Sequence, residues 1–294
     1  MHVYLGTGGF SNSDWEGLLY PVPRKPTDDL YYYAQAFDVV ELNSSFYAIA
    51  GEKAFAGMLN KSAHRLKMAV KLHHDFTHRR TATADLAQRM RLSPKPFREA
   101  GLLAPFLAQF PYSFARTPEN RRYLAQLVKW FAGEQLAIEF RHISWHVQDV
   151  QQAFREMGLI WVSVDYPQLA GMPISDVVLT SRTGYIRLHG RNDAQWWEGK
   201  SAAERHDYHY SEDELVLWAD RIAAKQAACD ELYVLFENTT KGHALHNIAV
   251  LRKLLTERGI TVTQGLDAQP VTLAQRLQQQ SLKASLIDDL FGDT

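Results

Sequence analysis

The stretch Tyr185-Ile186-Arg187-Leu188-His189-Gly190-Arg191 alternates apolar with polar or aromatic side chains and then breaks at a glycine. Residues two apart in a β-strand share a face. Ile186 and Leu188 therefore lie on one side, and Tyr185, Arg187, His189 and Arg191 lie on the other. Working outward, seven more short apolar runs read as strands: 3–7, 39–43, 66–72, 103–109, 136–140, 159–164 and 232–237. Helical patterns lie between them, clearest at 118–131, 147–156, 211–227 and 243–256. Strands separated by helices imply parallel βαβ units, and eight such units close a (β/α)8 TIM-type barrel. The competing architecture, an open doubly wound sheet, usually has fewer strands and a glycine-rich turn that opens directly into a helix. Here Gly6-Thr7-Gly8-Gly9 runs instead into a long loop carrying Trp15, Tyr20, Pro21 and Pro23. The expected organisation is one α/β barrel domain over residues 1–265 and a C-terminal extension over 266–294, with leucines at 273, 277, 286 and 290.

The 294 residues suit one such domain. A formal net charge of -1 gives no overall field toward nucleic acid or a membrane surface. Cys229 is the only cysteine, which excludes an internal disulfide and any multi-cysteine metal site and fits a reducing cytosol. The first residues lack the basic start and apolar run of a signal peptide, and no apolar stretch approaches the roughly 18 residues of a membrane span. The expectation is a cytoplasmic protein with no membrane partner.

The same phase argument sends polar side chains inward from most strands. Strand two contributes Glu41 and Asn43, strand three Lys71 and His73, strand four Gln109, strand five Glu139 and Arg141, strand six Ser163 and Asp165, and strand eight Glu237. They fall mainly at the carboxyl ends of the strands, where barrel enzymes build their sites from strand tips and βα loops. Buried isolated charges cost several kcal/mol each unless paired or compensated by a ligand. A rim of this kind is therefore either a structural ion-pair network or a binding site, and the second reading is favoured.

The runs carrying these charges also resemble a known family. Gly6-Thr7, Asp14-Trp15-Glu16-Gly17, Tyr20-Pro21 and Glu41-Leu42-Asn43-Ser44-Ser45-Phe46-Tyr47 are similar to the opening of the YecE-like family, domain of unknown function 72. The likeness continues through Val70-Lys71, Thr77-His78, Gln109-Phe110-Pro111-Tyr112-Ser113-Phe114, Glu139-Phe140-Arg141-His142 and Ser144-Trp145. It ends with Arg187-Leu188-His189-Gly190-Arg191, Tyr210-Ser211, Trp218-Ala219 and Asn238, so the ordered set reaches to about residue 255. The resemblance implies the barrel and a polar mouth, and it implies no reaction. Gly8 and Phe10 stand where the family usually has serine and tryptophan, and Glu237 stands where an uncharged residue is more usual.

The favoured chemistry is an enzyme acting on a small phosphate- or carboxylate-bearing molecule, with hydrolase or isomerase/lyase chemistry in view. Lys71, Arg141, Arg187 and Arg191 would bind the anion, since guanidinium groups match such oxygens in bidentate fashion. Glu41, Asn43, Gln109, His142, Asp165 and Asn238 would complete the binding rim. His189 or Glu139 would serve as base and His73 as acid or electrostatic partner; because a carboxylate beside a cation stays ionised, Glu139 next to Arg141 is the weaker base. A second reading is a metal-dependent hydrolase or isomerase using Glu41, Glu139, Asp165 and His189. No close-spaced ligand signature supports it, and the nearby cations compete for the same carboxylates. No nucleotide-cofactor motif is present, so the cofactor is left open. A third reading is a non-catalytic adaptor for nucleic acid, using the basic run 73–80 with Trp196 and Trp197 as stacking platforms. The tail Ser285-Leu286-Ile287-Asp288-Asp289-Leu290-Phe291 is similar to short clamp-docking tails of bacterial repair proteins but lacks their leading glutamine. The long insert 190–210 is a candidate lid.

Overall fold

The computed structural model describes residues 1–263; the proposed C-terminal extension and its leucines lie outside the described residues. Eight parallel strands run β1 His2–Gly8, β2 Val39–Leu42, β3 Lys67–Lys71, β4 Leu103–Gln109, β5 Leu136–Glu139, β6 Ile160–Asp165, β7 Thr183–Leu188 and β8 Glu231–Phe236. Each pairs with the next in sequence, and β1 closes the ring by pairing with both β8 and β2. The result is a (β/α)8 barrel of the TIM type. The β1–β2 seam is short, Gly6↔Val39 to Gly8↔Glu41, and a ninth strand, β9 Thr261–Val262, pairs with His2 and Val3.

The alternation read from the sequence sorts the core into two compartments. Val40, Leu42, Met68, Val70, Ile138, Ile186, Leu188 and Val234 face outward and pack with residues of helices such as Pro118–Trp130, Gln148–Met157, Glu212–Ala223 and His243–Glu257. Val39, Ala69, Leu107, Ala137, Tyr185, Tyr233 and Leu235 fill the barrel interior. The helices form where the sequence gives an amphipathic stripe and a cap. Thr117 caps Pro118–Trp130 with proline at the first helical position, and Ser211 and Glu214 form a reciprocal capping box on Glu212–Ala223.

Strand six departs from the expected pattern. Ile160, Val162 and Val164 belong to the interior compartment, and Val164 pairs in register with inward-facing Arg187. Ser163 and Asp165 therefore point outward, opposite to the sequence reading. The cause lies in the β6–β7 crossover: residues 166–182 form no helix. This irregular segment covers the outer face of β6 with polar partners instead. Ser163 Oγ accepts from Val178 N at 2.9 Å, and Asp165 accepts from Ser175. A polar outer face is stable there because its hydrogen bonds are made.

Candidate functional site

The carboxyl ends of the strands open into a cavity of about 570 Å³, lined in part by Asn43, Lys71, His78, Gln109, Arg141, Arg187, His189, His206 and Glu237. At its floor Arg187 is the central cation. Its Nε and Nη2 donate to Glu41 at 2.9 and 2.7 Å, its Nη1 donates to Glu139, and Nη2 lies 2.9 Å from Glu237 Oε1. The bidentate pairing with Glu41 is the geometry for which the planar guanidinium is suited. Tyr185 hydroxyl donates to Glu41 at 2.9 Å, and Tyr166 hydroxyl donates to Glu139. Glu41, Glu139 and Arg187 are all but inaccessible to water. Burial pulls the Glu139 carboxyl upward, but Arg187, His189 and Arg141 outweigh it and hold the group well below the usual carboxylate range. Arg187 is thus committed to three carboxylates, and the expected anion contact from it is taken up inside the protein.

Above this floor the cations are less committed. Lys71 makes a cation–π contact with Phe46 at 5.1 Å, and among the described residues its ammonium has no carboxylate within salt-bridge distance. Burial, with help from Arg187, lowers it to about 8. Among the described residues Arg141 has one ion pair, Nε to Glu139 Oε1 at 3.5 Å, and its guanidinium lies over Tyr166 and Trp196. Glu237 is pushed up to about 7 by burial against the attraction of Arg187. Burial likewise keeps His189 well below its ordinary value and takes His78 to about 4 and His206 to about 3, so all three imidazoles are neutral at neutral pH.

Gly8 explains how Glu237 fits. A Cβ at Gly8 would overlap the Glu237 carboxylate. Two of the three positions singled out as departures from the family pattern are therefore in contact, the missing side chain at 8 making room for the added carboxylate at 237. In the same strand the Thr7 N–H donates to the Tyr33 hydroxyl at 2.8 Å.

Of the residues expected at the rim, Asn43, Lys71, Gln109, Arg141, Arg187 and His189 line the cavity, with Glu41 and Glu139 directly beneath. The others sit elsewhere. Asp165 pairs with Arg191 at 2.9 Å on the outer side, and Arg191 also holds Glu214 at 2.8 Å. The chain turns at Gly190, with φ +88°, so Arg191 leaves the inward face that strict alternation assigned to it. Asn238 follows the end of β8 and donates to Tyr208 O and Asn247 Oδ1 at 2.8 and 2.9 Å, bonding the insert to the last helix. His73 caps the short helix His74–Thr77, because β3 ends at Lys71 and alternation no longer applies. His142 caps the turn at Ser144, its Nδ1 2.8 Å from the Ser144 hydroxyl.

Alternation missed Tyr166, His78 and His206. Tyr166 continues the true phase of β6 and stacks on His189 at 4.5 Å. The other two come from loops, which have no period to read. His206 belongs to the 190–210 insert, which folds as the short helices Asp193–Trp196 and Ala202–Arg205 over one side of the mouth. Thr240 hydroxyl donates to Ala203 O at 3.1 Å, and His206 Nδ1 lies 3.2 Å from Glu237 O. Trp196 is only 4% exposed and packs on Tyr166, so it presents no stacking platform; Trp197, at 56%, is exposed. On the outer surface a second hollow of about 620 Å³ is lined by Arg91, Arg98 and Trp130, and both of its arginines are paired with Glu134.

A closed parallel barrel with charged side chains gathered at its C-terminal mouth defines the class of protein. The chain belongs to the family described as protein of unknown function DUF72, whose model matches residues 4–272. It is 27% identical over 269 residues to the UPF0759 protein YunF of Bacillus subtilis, covering 86% of this chain and 94% of that protein. Among solved structures it resembles a DUF72 family protein from Thermotoga maritima at TM-score 0.80 and 34% identity, covering 87% of this chain and all of the other. A DUF72 family protein from Enterococcus faecalis matches at TM-score 0.75 and 26% identity, over 86% of this chain and 95% of the other. Among the described residues no helix is long and apolar enough to cross a membrane.

Proposed function

We propose that this barrel is an enzyme acting on a small anionic substrate, phosphate- or carboxylate-bearing, held at the C-terminal mouth. The observation that carries the reading is the contrast between its cations. Arg187 is saturated by carboxylates, while Lys71 and Arg141 line the same cavity with little or no pairing. A cation left without a partner in a half-open, polar pocket is stabilised most by an anionic occupant. Arg141 supplies a planar donor set to oxygens of the anion, and Lys71 adds a point charge. With its ammonium lowered to about 8, Lys71 also holds a proton it can exchange near neutral pH, as general acid catalysis requires. Asn43 and Gln109 offer neutral polar groups on the same wall. Glu139 is a poor base because Arg187 holds it ionised. The carboxylate set Glu41, Glu139 and Asp165 does not favour the alternative metal reading, since two are spent on Arg187 and the third lies outside the mouth.

The test is calorimetric titration of the full chain with inorganic phosphate and a panel of phosphomonoesters and small carboxylates. The expected result is one saturable site, lost in Lys71→Met and Arg141→Met with little change in melting temperature. Uniform absence of binding across the panel, or binding that survives both substitutions, overturns it.

A further inference from the structure

His189, His206 and Glu237 converge from β7's end, the insert and the end of β8. One ligand-capable atom of each lies within 4.8 Å of the others. Tetrahedral zinc, with bonds of about 2.0–2.2 Å, spaces its ligands by about 3.3–3.6 Å, so this cluster is a side-chain adjustment away from coordination.

The hydrogen bonding leaves the right atoms bare. His189 Nδ1 and Glu237 Oε1 are both buried, and neither makes a hydrogen bond among the described residues. Glu237 Oε1 does lie 2.9 Å from Arg187 Nη2, an ion-pair contact without hydrogen-bond alignment. His189 Nε2 sits 3.6 Å from Glu139 Oε1 and 3.3 Å from Arg187 Nη1. Because a guanidinium only donates, Nε2 accepts from Arg187 and the proton rests on Nδ1; metal binding through Nδ1 would move that proton to Nε2, facing Glu139 Oε1. That is the carboxylate–histidine support that metal-bound imidazoles characteristically have. His206 Nδ1 lies 3.2 Å from Glu237 O, and donation there leaves Nε2 free. The imidazole of His206 is also fixed by stacking on Trp196, with ring centroids 5.9 Å apart.

The charges facing the cluster decide whether a cation is tolerated. Arg187, Arg141, Lys71 and Arg205 are the cations around it. Arg187 is neutralised more than once over, by Glu41, Glu139 and Glu237 together. A divalent ion would draw Glu237 from this shared position and leave Glu41 and Glu139 on the guanidinium.

We infer that His189, His206 and Glu237 form a divalent transition-metal site, of zinc or manganese type, that ties the 190–210 insert to the barrel mouth. Two imidazoles and a carboxylate suit such ions and leave at least one coordination position open toward the cavity. Because one ligand comes from the insert and two from strand ends, the ion holds the lid in place as well as occupying the floor. In this arrangement His189 is a ligand and not a base, and proton transfer falls to Lys71. The inference stands apart from the anion reading, since metal binding is measured with no anion added.

The experiment strips the full chain with a chelator and titrates it with zinc, manganese and cobalt(II) by calorimetry, following the cobalt-bound protein by visible absorption. Wild type should bind one ion per chain, and bound metal should slow proteolytic cleavage within residues 190–210. His206→Gln, on the partly exposed insert, should lose more than the roughly 10–100-fold in affinity that removal of a mere supporting partner costs. It should also lose the cobalt spectrum while the metal-free melting temperature stays unchanged. His73→Gln, in the separate His73-His74-Asp75 cluster, should leave all readouts as in wild type. Absence of one-to-one binding in wild type overturns the inference, as does an unchanged affinity and spectrum in His206→Gln.

Discussion

Replacing Arg187 by methionine removes the one cation on which Glu41, Glu139 and Glu237 converge, while keeping an unbranched side chain in its place. Breaking a buried ion pair from one side typically costs about 3–5 kcal/mol, because a charge is left buried without compensation. Glu41 and Glu139 are both fully buried, so the upper part of that range is expected. Unfolding entropy of about 2.1 cal/mol/K per residue gives about 0.6 kcal/mol/K for 294 residues, so the melting temperature should fall by about 6–8 °C. The loss should depend on pH in a set direction. In wild type Glu139 titrates well below its unfolded value, so its stabilisation is present above pH 4–5 and is lost only as pH falls through the lowered folded value. Without Arg187, burial dominates and raises Glu139 above its unfolded value. The variant then gains stability at low pH and loses it as pH rises. Thermal unfolding followed by circular dichroism at pH 5, 6.5 and 8 should show the gap from wild type widening toward pH 8. A gap below 2 °C at pH 8, or one that does not change with pH, refutes the reasoning.

Further expectations concern the rim and the insert. The affinity for a small carboxylate should be flat below about pH 7 and fall as pH rises through about 8, because burial lowers Lys71 to that value and only its charged form attracts the anion; Lys71→Arg, which keeps its charge through this range, should abolish the fall in calorimetry. Gly8→Ala should push the Glu237 carboxylate aside with little change in melting temperature, since a side chain and not the backbone must move, and should weaken metal binding at the His189–His206–Glu237 cluster. Arg191→Met leaves buried Asp165 without its cation and removes one of the two bonds from the insert to Glu214, leaving that of the Tyr208 hydroxyl. It should cost about 1–3 kcal/mol, the half-exposed guanidinium placing it below a fully buried pair, and should speed proteolysis within 190–210.

The barrel was legible because its two compartments impose a period of two on every strand. Arg187 and His189 on and after β7, Glu139 and Arg141 on and after β5, and Lys71 on β3 all face where alternation places them. Alternation failed where its premise failed. On β6 it assumed that the outer face meets a helix, so Ser163 and Asp165 were sent inward; the helix-free crossover supplies polar partners outside, and the apolar series Ile160, Val162, Val164 with Tyr166 at its end carries the true phase. Beyond strand ends the rule loses force. His73 and Arg191 come from extending a strand into a turn, while His142 and Asn238 stand outside the alternation altogether, and each serves a cap, an ion pair or a loop-to-helix bond instead. His206 left no periodic signal, because the insert that delivers it is positioned by single hydrogen bonds such as Thr240 to Ala203.

The most direct test of the mouth as an anion site is a crystal structure of the full chain grown or soaked with inorganic phosphate. The account predicts a tetrahedral anion inside the barrel mouth, within hydrogen-bond distance of the Lys71 ammonium and the Arg141 guanidinium, with Arg187 still held by Glu41 and Glu139. Phosphate found only on the outer surface, with Lys71 and Arg141 turned onto carboxylates of the chain, would contradict it.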